Sequence, residues 1–276
     1  MGIVNVTPDS FSDGGLFLDA EAAIEHGRTL AADGADILDV GGESTRPGAE
    51  AVDAEEELER VRPVVEALAG ESGPGVQVSI DTSKTAVAAA ALDAGAEIVN
   101  DVTALRADPD LAALCADREC GLVLMHMLGD PRTMQENPTY EDVVDEVKAF
   151  LAERVDVAIT AGVAEERIWV DPGIGFGKTL EHNLELLRRL GELRGLGRPV
   201  VVGSSRKSFI GAITGREVED RLGGTVASNV LAVLAGADVV RVHDVLELKQ
   251  ALNVAEAIVG RRDWRAASVA AKAARR

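Results

Sequence analysis

Residues 84–102 read KTAVAAAALDAGAEIVNDV, and the fold turns on how this stretch is read. Its first eleven positions are dominated by alanine and carry no glycine or proline, so they form a helix. Ala94-Gly95-Ala96 ends that helix, because a glycine just past the last turn takes the left-handed conformation that closes it. Ile98 and Val99 then open a β-branched run that ends in the polar pair Asn100 and Asp101 before Val102. Helix, glycine cap and strand follow one another within nineteen residues. The cap recurs at Ala161-Gly162-Val163 and Ala235-Gly236-Ala237, and Asp33-Gly34-Ala35 is similar.

On either side of this unit the pattern repeats. Eight strand-like runs are predicted at 2–6, 36–40, 76–81, 98–102, 122–126, 168–171, 199–203 and 239–242. Helical runs lie between them at 20–32, 54–69, 84–94, 109–117, 140–161, 180–190, 221–235 and 246–259. The strands are apolar on both faces, as in a parallel sheet covered by helices. Eight such units in one domain, residues 1–260, predict an α/β fold of the (β/α)8 TIM-barrel type. A doubly wound open sheet is the alternative, since a count of strands does not close a barrel. Residues 261–276 hold six Lys or Arg against one acid, Asp263, and are read as a basic, flexible tail.

Composition limits the partners. A net charge of −19 and a pI near 4.6 repel nucleic acid and anionic membranes, so neither is expected as a partner. No apolar run is long enough to span a bilayer, and no charged-then-apolar leader precedes the strand-like opening at Met1. That opening is abrupt, and an upstream segment is one reading of it. Cys115 and Cys120 fit neither a zinc site nor a disulfide framework and are read as core thiols of a reduced, cytoplasmic protein.

The strands end in polar side chains: Asn5, Asp39, Asp81, Asn100 with Asp101, His126, Asp171, Ser205 with Arg206 and Lys207, and Arg241 with His243. For any single Asp or Asn there, a helix cap or turn residue is the favoured reading. Eight ends together do not, because Arg, Lys and His are poor caps and barrel chemistry sits at strand C-termini. The long segments 7–19, 41–53, 128–139 and 203–220 all follow strands, which places loops and function on one face. Residues 171–179, DPGIGFGKT, imitate a phosphate loop, but Pro172 stands where its first glycine belongs and has no N–H to offer phosphate. That stretch is read instead as the acid Asp171 followed by a flexible loop with Phe176. Lys178 is read as loop electrostatics, and His26 and His182 as surface residues.

Two chemistries share this face. Asp81, Asn100 and Asp171 suit a flat heterocycle with adjacent N–H and NH2 groups, and Met125 and Phe176 offer apolar or stacking surface. Arg46, Lys207, Arg241 and His243 form a cationic group, with Asn5, Ser44 and Thr45 nearby, and predict an anion site; a diphosphate there would bring Mg2+. Lys207 could form a Schiff base, but Arg206 and Ser208 beside it favour a hydrogen-bonding role.

These motifs resemble the dihydropteroate synthase family of pterin-binding enzymes. The resemblance rests on MGIVNVTPDSFSDGG at 1–15, DVGGESTRPG at 39–48, SIDT at 79–82, VNDV at 99–102, LMHM at 124–127, DPGIGFGK at 171–178, SRKS at 205–208 and RVHD at 241–244, in order across residues 1–260. It implies a barrel transferase of folate biosynthesis that condenses 6-hydroxymethyl-7,8-dihydropterin diphosphate with p-aminobenzoate and releases diphosphate. It implies pterin contacts from Asp81, Asn100, Asp171 and Lys207, with Met125 beside the ring, and Asn5 as the Mg2+ ligand. It further implies an anion site from Arg46, Arg241 and His243, and p-aminobenzoate contacts from Thr45, Pro47, Phe176 and Ser208, where sulfonamides compete. Asp81, Lys207 and Arg46 are the expected catalytic residues, and a homodimer is the expected assembly. A methyltetrahydrofolate-dependent methyltransferase would share the acid and amide edge without needing the basic cluster, and a non-catalytic pterin-binding paralogue would be expected to lose the loop residues.

Overall fold

The computed structural model describes residues 1–6, 16–44, 51–71, 75–129 and 133–261. Strands β1 (Gly2–Asn5), β2 (Ile37–Gly41), β3 (Gln77–Asp81), β4 (Ile98–Asp101), β5 (Gly121–Met125) and β6 (Ile168–Asp171) pair in parallel in that order. Strands β7 (Val201–Val202) and β8 (Val239–Val240) form a parallel pair of their own. Both seams are bridged. Val170 N–H donates to Pro199 O at 2.9 Å, and Val242 N–H donates to Met1 O at 2.9 Å while Ile3 N–H donates to Val242 O at 3.0 Å. The strand order therefore returns to β1, and the sheet is a closed eight-stranded barrel rather than the open alternative.

Helices α1 (Leu16–Ala32), α2 (Ala54–Glu71), α3 (Thr85–Asp93), α4 (Asp110–Asp117), α5 (Val143–Thr160), α6 (Leu180–Arg188), α7 (Ser208–Thr214), α8 (Leu222–Ala235) and α9 (Val245–Ile258) surround it. The short α7 lies inside 203–220, which the sequence presents as loop. The four glycine caps fall where predicted: Gly34, Gly95, Gly162 and Gly236 all have positive φ at helix ends. After each, the next residue's N–H reaches back five residues, as Ala96 N–H does to Ala91 O at 2.9 Å. Helix α4 closes in the same way through Glu119, a non-glycine at φ 49.

Side-chain alternation explains how the barrel makes both a core and a site. Leu38, Val40, Ile80, Val99, Leu122, Leu124 and Val170 point outward and pack with the helices in the main core. The intervening residues point inward. Low in the barrel these are apolar: Met1, Ile37, Ile98, Val123 and Val201, with Trp169 and Val239 packed against them. Two residues further along five of these strands they become Asp39, Asn100, Met125, Asp171 and Arg241. The strands are thus apolar on both faces only in their lower half.

Candidate active site

Strand register sets the site. Asn5 is level with Gly41, Gly41 with Asp81, and Asp81 with Asn100, while Met125 is level with Asp171. Residues scattered over more than 160 positions of sequence therefore stand around one mouth. Arg241 ties two of these strands together. Its Nε donates to Asp39 Oδ2 at 2.5 Å, and its terminal nitrogen donates to Asp81 Oδ2 at 2.7 Å. Asn100 Nδ2 also donates to Asp39 Oδ2, at 3.1 Å, which turns the amide oxygen of Asn100 away as a free acceptor. Asp39 is fully buried and faces the mouth only through its bonds to Arg241 and Asn100. Sequence reasoning placed Asp39 at a strand end without giving it a role; its inward parity with Gly41 is the signal that could have done so.

Burial dominates the acids. It raises the Asp81 carboxyl to about 7, against the opposing charge of Arg241 and with help from Asp39, Glu57 and Asp101. It raises Asp171 to about 6, against the Gly173 N–H bond and the charges of Lys207, Arg241 and Lys178. Among the described residues only Oδ1 of Asp171 accepts a hydrogen bond, from Gly173 N–H at 2.7 Å. Carboxylates buried and only partly satisfied in a mouth are what a ligand rich in N–H groups would complete.

The loop after β6 is bound tightly to the loop after β5. A Cβ on Gly173, at φ 66, would lie 1.9 Å from His126 O, and one on Gly177, at φ 63, would lie 2.6 Å from Leu128 Cβ. Both positions need glycine for space and for backbone conformation. Lys178 is 3% exposed and lies 2.9 Å from His126 Nδ1 and 2.9 Å from Phe176 O. Burial lowers it to about 7, and burial with the charges of Lys178 and Arg106 lowers His126 to about 2, so the imidazole stays neutral. The expectation that Lys178 supplies loop electrostatics is corrected: it is an internal strut between the two loops. His182 is likewise no idle surface residue. It forms a capping box with Thr179 at the start of α6. This fastening presents Phe176, whose ring lies 4.0 Å from Lys207 Nζ and packs on Val102, Met125, Met127 and Met134. Met127 and Met134 were not foreseen, because both lie past the end of β5 at Met125, where strand alternation no longer places side chains.

The remaining basic residues are more restrained than the sequence implies. His243 Nδ1 lies 3.0 Å from Ser205 Oγ, and burial with the charges of Arg206 and Arg241 lowers its ring to about 4, so it is a neutral hydrogen-bonding group and not a cation. Arg206 makes a two-pronged bond to Asp244 and is structural. Asp101 and His126 face outward; Asp101 accepts from Thr103 and Leu105 and closes a turn. Ser208 is exposed at the start of α7. Thr45, Arg46 and Pro47 lie outside the described residues, as do residues 262–276 of the tail. Flanking 45–50, Glu43 accepts from Val52 N–H at 3.2 Å and from Lys84 Nζ at 2.5 Å, and Lys84 also bonds the buried Glu57.

Among the described residues, no three His, Cys, Asp or Glu side chains converge on a metal position. The barrel and its ring of acids, amide and lysine define a pterin-recognising enzyme class, and the comparisons agree. Residues 1–243 match the family described as Pterin binding enzyme, and the chain belongs to that family. The dihydropteroate synthase of Synechocystis sp. is 48% identical over 259 residues, covering 94% of this chain and 89% of that protein. A Xanthomonas albilineans dihydropteroate synthase solved with 4-aminobenzoic acid is 51% identical, with a TM-score of 0.88 over 94% of this chain and 92% of that one. The same organism's enzyme solved with 7,8-dihydropteroate is 48% identical, with a TM-score of 0.84 and the same coverage.

Proposed function

We infer that the protein catalyses the dihydropteroate synthase reaction, a transfer in which p-aminobenzoate replaces diphosphate on 6-hydroxymethyl-7,8-dihydropterin diphosphate. The observation that carries this reading is the ring of Asp81, Asn100, Met125 and Asp171 around the barrel mouth, Met125 and Asp171 standing two residues further along their strands than the register of Asn100, with Lys207 and Phe176 at the rim. Asp171 and Asn100 are suited to the N–H and amide edge of the pterin, and Met125 to its face. Arg241 holds Asp81 in place, where its carboxylate offsets positive charge growing on the pterin as diphosphate leaves. Lys207, Arg46 and His243 are assigned to the anionic and rim side, and Thr45, Pro47, Phe176 and Ser208 to p-aminobenzoate.

Mg2+ fits this plan through Asn5. Its amide oxygen is a hard donor at the end of β1, half exposed, and its side chain makes no hydrogen bond among the described residues. When bound, the ion would neutralise the departing diphosphate, whose oxygens and water supply its other ligands. We place the enzyme in the cytoplasm, supported by two free, buried cysteines. We also propose a homodimer through α8 and α9. Leu231, Val254 and Ile258 are 65%, 60% and 79% exposed there, large apolar side chains that a partner surface would cover. Leu231→Lys with Val254→Glu is expected to give monomers in light scattering.

The test is direct. Purified protein with Mg2+, the pterin diphosphate and p-aminobenzoate should release diphosphate and form 7,8-dihydropteroate. Folded protein that binds the pterin and forms no product would overturn the proposal.

A further inference from the structure

Six of the helices described end in the same closing turn, which brings the side chain three residues inside the helix end against the one two residues beyond it; at the end of α9 that pair is Glu256 with Arg261. Four of these pairs are apolar: Leu30 with Ala35, Ala91 with Ala96, Ala158 with Val163 and Ala232 with Ala237. At the end of α4 the pair is Cys115 with Cys120, joined by Cys120 N–H to Cys115 O at 3.3 Å. Cys120 Sγ lies 3.8 Å from the same oxygen. The backbone bond holds the two α-carbons near the separation that a disulfide spans, about 4.4–6.8 Å.

The two thiols differ in access. Cys115 is fully buried; Cys120 is 4% exposed and lines a cavity of about 410 Å3 at the N-terminal ends of the strands, opposite the mouth, together with Arg118, Arg167 and Trp169 and the carboxylates of Glu97, Glu119 and Glu166. We propose that Cys115 and Cys120 form an oxidisable dithiol, with Cys120 the sulfur that a peroxide attacks and Cys115 the one that resolves it. The Cys115 thiol, with the charges of Arg167 and Arg118, holds the Cys120 thiol below its ordinary range against the effect of burial. The Cys120 thiolate attacks one peroxide oxygen and breaks the O–O bond, leaving a sulfenic acid and hydroxide. The Cys115 thiol then displaces the sulfenic oxygen as water and forms the S–S bond. Two electrons pass from the sulfurs to the peroxide, which ends as two waters.

The experiment treats the folded full-length chain with hydrogen peroxide at neutral pH and reads intact mass and a non-reducing tryptic map. The chain should lose the mass of two hydrogens. Trypsin cuts after Arg118, so the oxidised protein should give two peptides joined through Cys115 and Cys120. Cys115→Ser should stop at a sulfenic acid on Cys120 that dimedone traps, and Cys120→Ser should leave Cys115 unmodified. Folded wild-type protein that keeps both thiols, or dimedone labelling of Cys115 as fast as of Cys120, would overturn the assignment.

Discussion

Arg241→Met removes the one cation that, among the described residues, touches both Asp39 and Asp81, while keeping most of the stem's bulk. The side chains concerned are 21%, 0% and 11% exposed, so this is a buried triad and not a surface bridge. Deleting one partner of such a group leaves uncompensated carboxylate charge and costs about 3–5 kcal/mol. Total stabilities are about 5–15 kcal/mol, so the variant should fold with a much reduced margin. The loss should depend on pH in a definite sense. The folded Asp81 carboxyl sits at about 7 against its ordinary 3.8, so the folded chain holds a proton that the unfolded chain gives up. Asp81 therefore lowers stability as pH rises from about 4 to 7. Arg241 opposes that rise, and without it the window extends further up. The part of the gap that comes from Asp81 should thus be small at pH 5 and larger at pH 8, on top of the lost Asp39 contact at both values. Urea melts followed by tryptophan fluorescence at both values measure it, with Trp169 inside the barrel as reporter. A loss under about 1 kcal/mol at pH 8, or the same loss at both pH values, would refute an electrostatic role for the triad.

Other substitutions test other links. Asp171→Asn should abolish pterin binding in calorimetry while the circular dichroism stays that of the wild type. Product formation per unit pterin should fall as pH drops from about 7 through 6, as Asp81 and then Asp171 take up protons; a flat profile would remove both as working carboxylates. Gly173→Ala should displace the β5 and β6 loops from each other and cost at least about 3 kcal/mol, since its Cβ meets backbone and φ is positive. Lys178→Met should lower the melting temperature by several degrees, for a loss of about 1–3 kcal/mol, and that loss should persist in high salt, which would erase the effect of an exposed loop charge. Glu119→Gly should stabilise the chain by about 0.5–1 kcal/mol by relieving the left-handed position.

Much of this was legible in the chain because it is local. The caps at Gly34, Gly95, Gly162 and Gly236 need only a glycine after a helical run, so the count of units followed from the sequence. The polar strand ends were also legible, because strand ends are marked by composition. The extent of β7 and β8 and the short α7 were not, since tertiary pairing sets where a short apolar run stops.

The repeating unit, the chemistry of the strand ends and the family are properties of the chain alone. Which ends face inward, and what their charges amount to, came from three-dimensional packing. Asn100 and Asp101 are neighbours in sequence, yet strand parity sends one to the mouth and the other to a turn. Arg241 and His243 both read as cations, yet two carboxylates match the first and burial keeps the second neutral. Parity and desolvation depend on neighbours 40 to 200 residues away, and no local pattern encodes them.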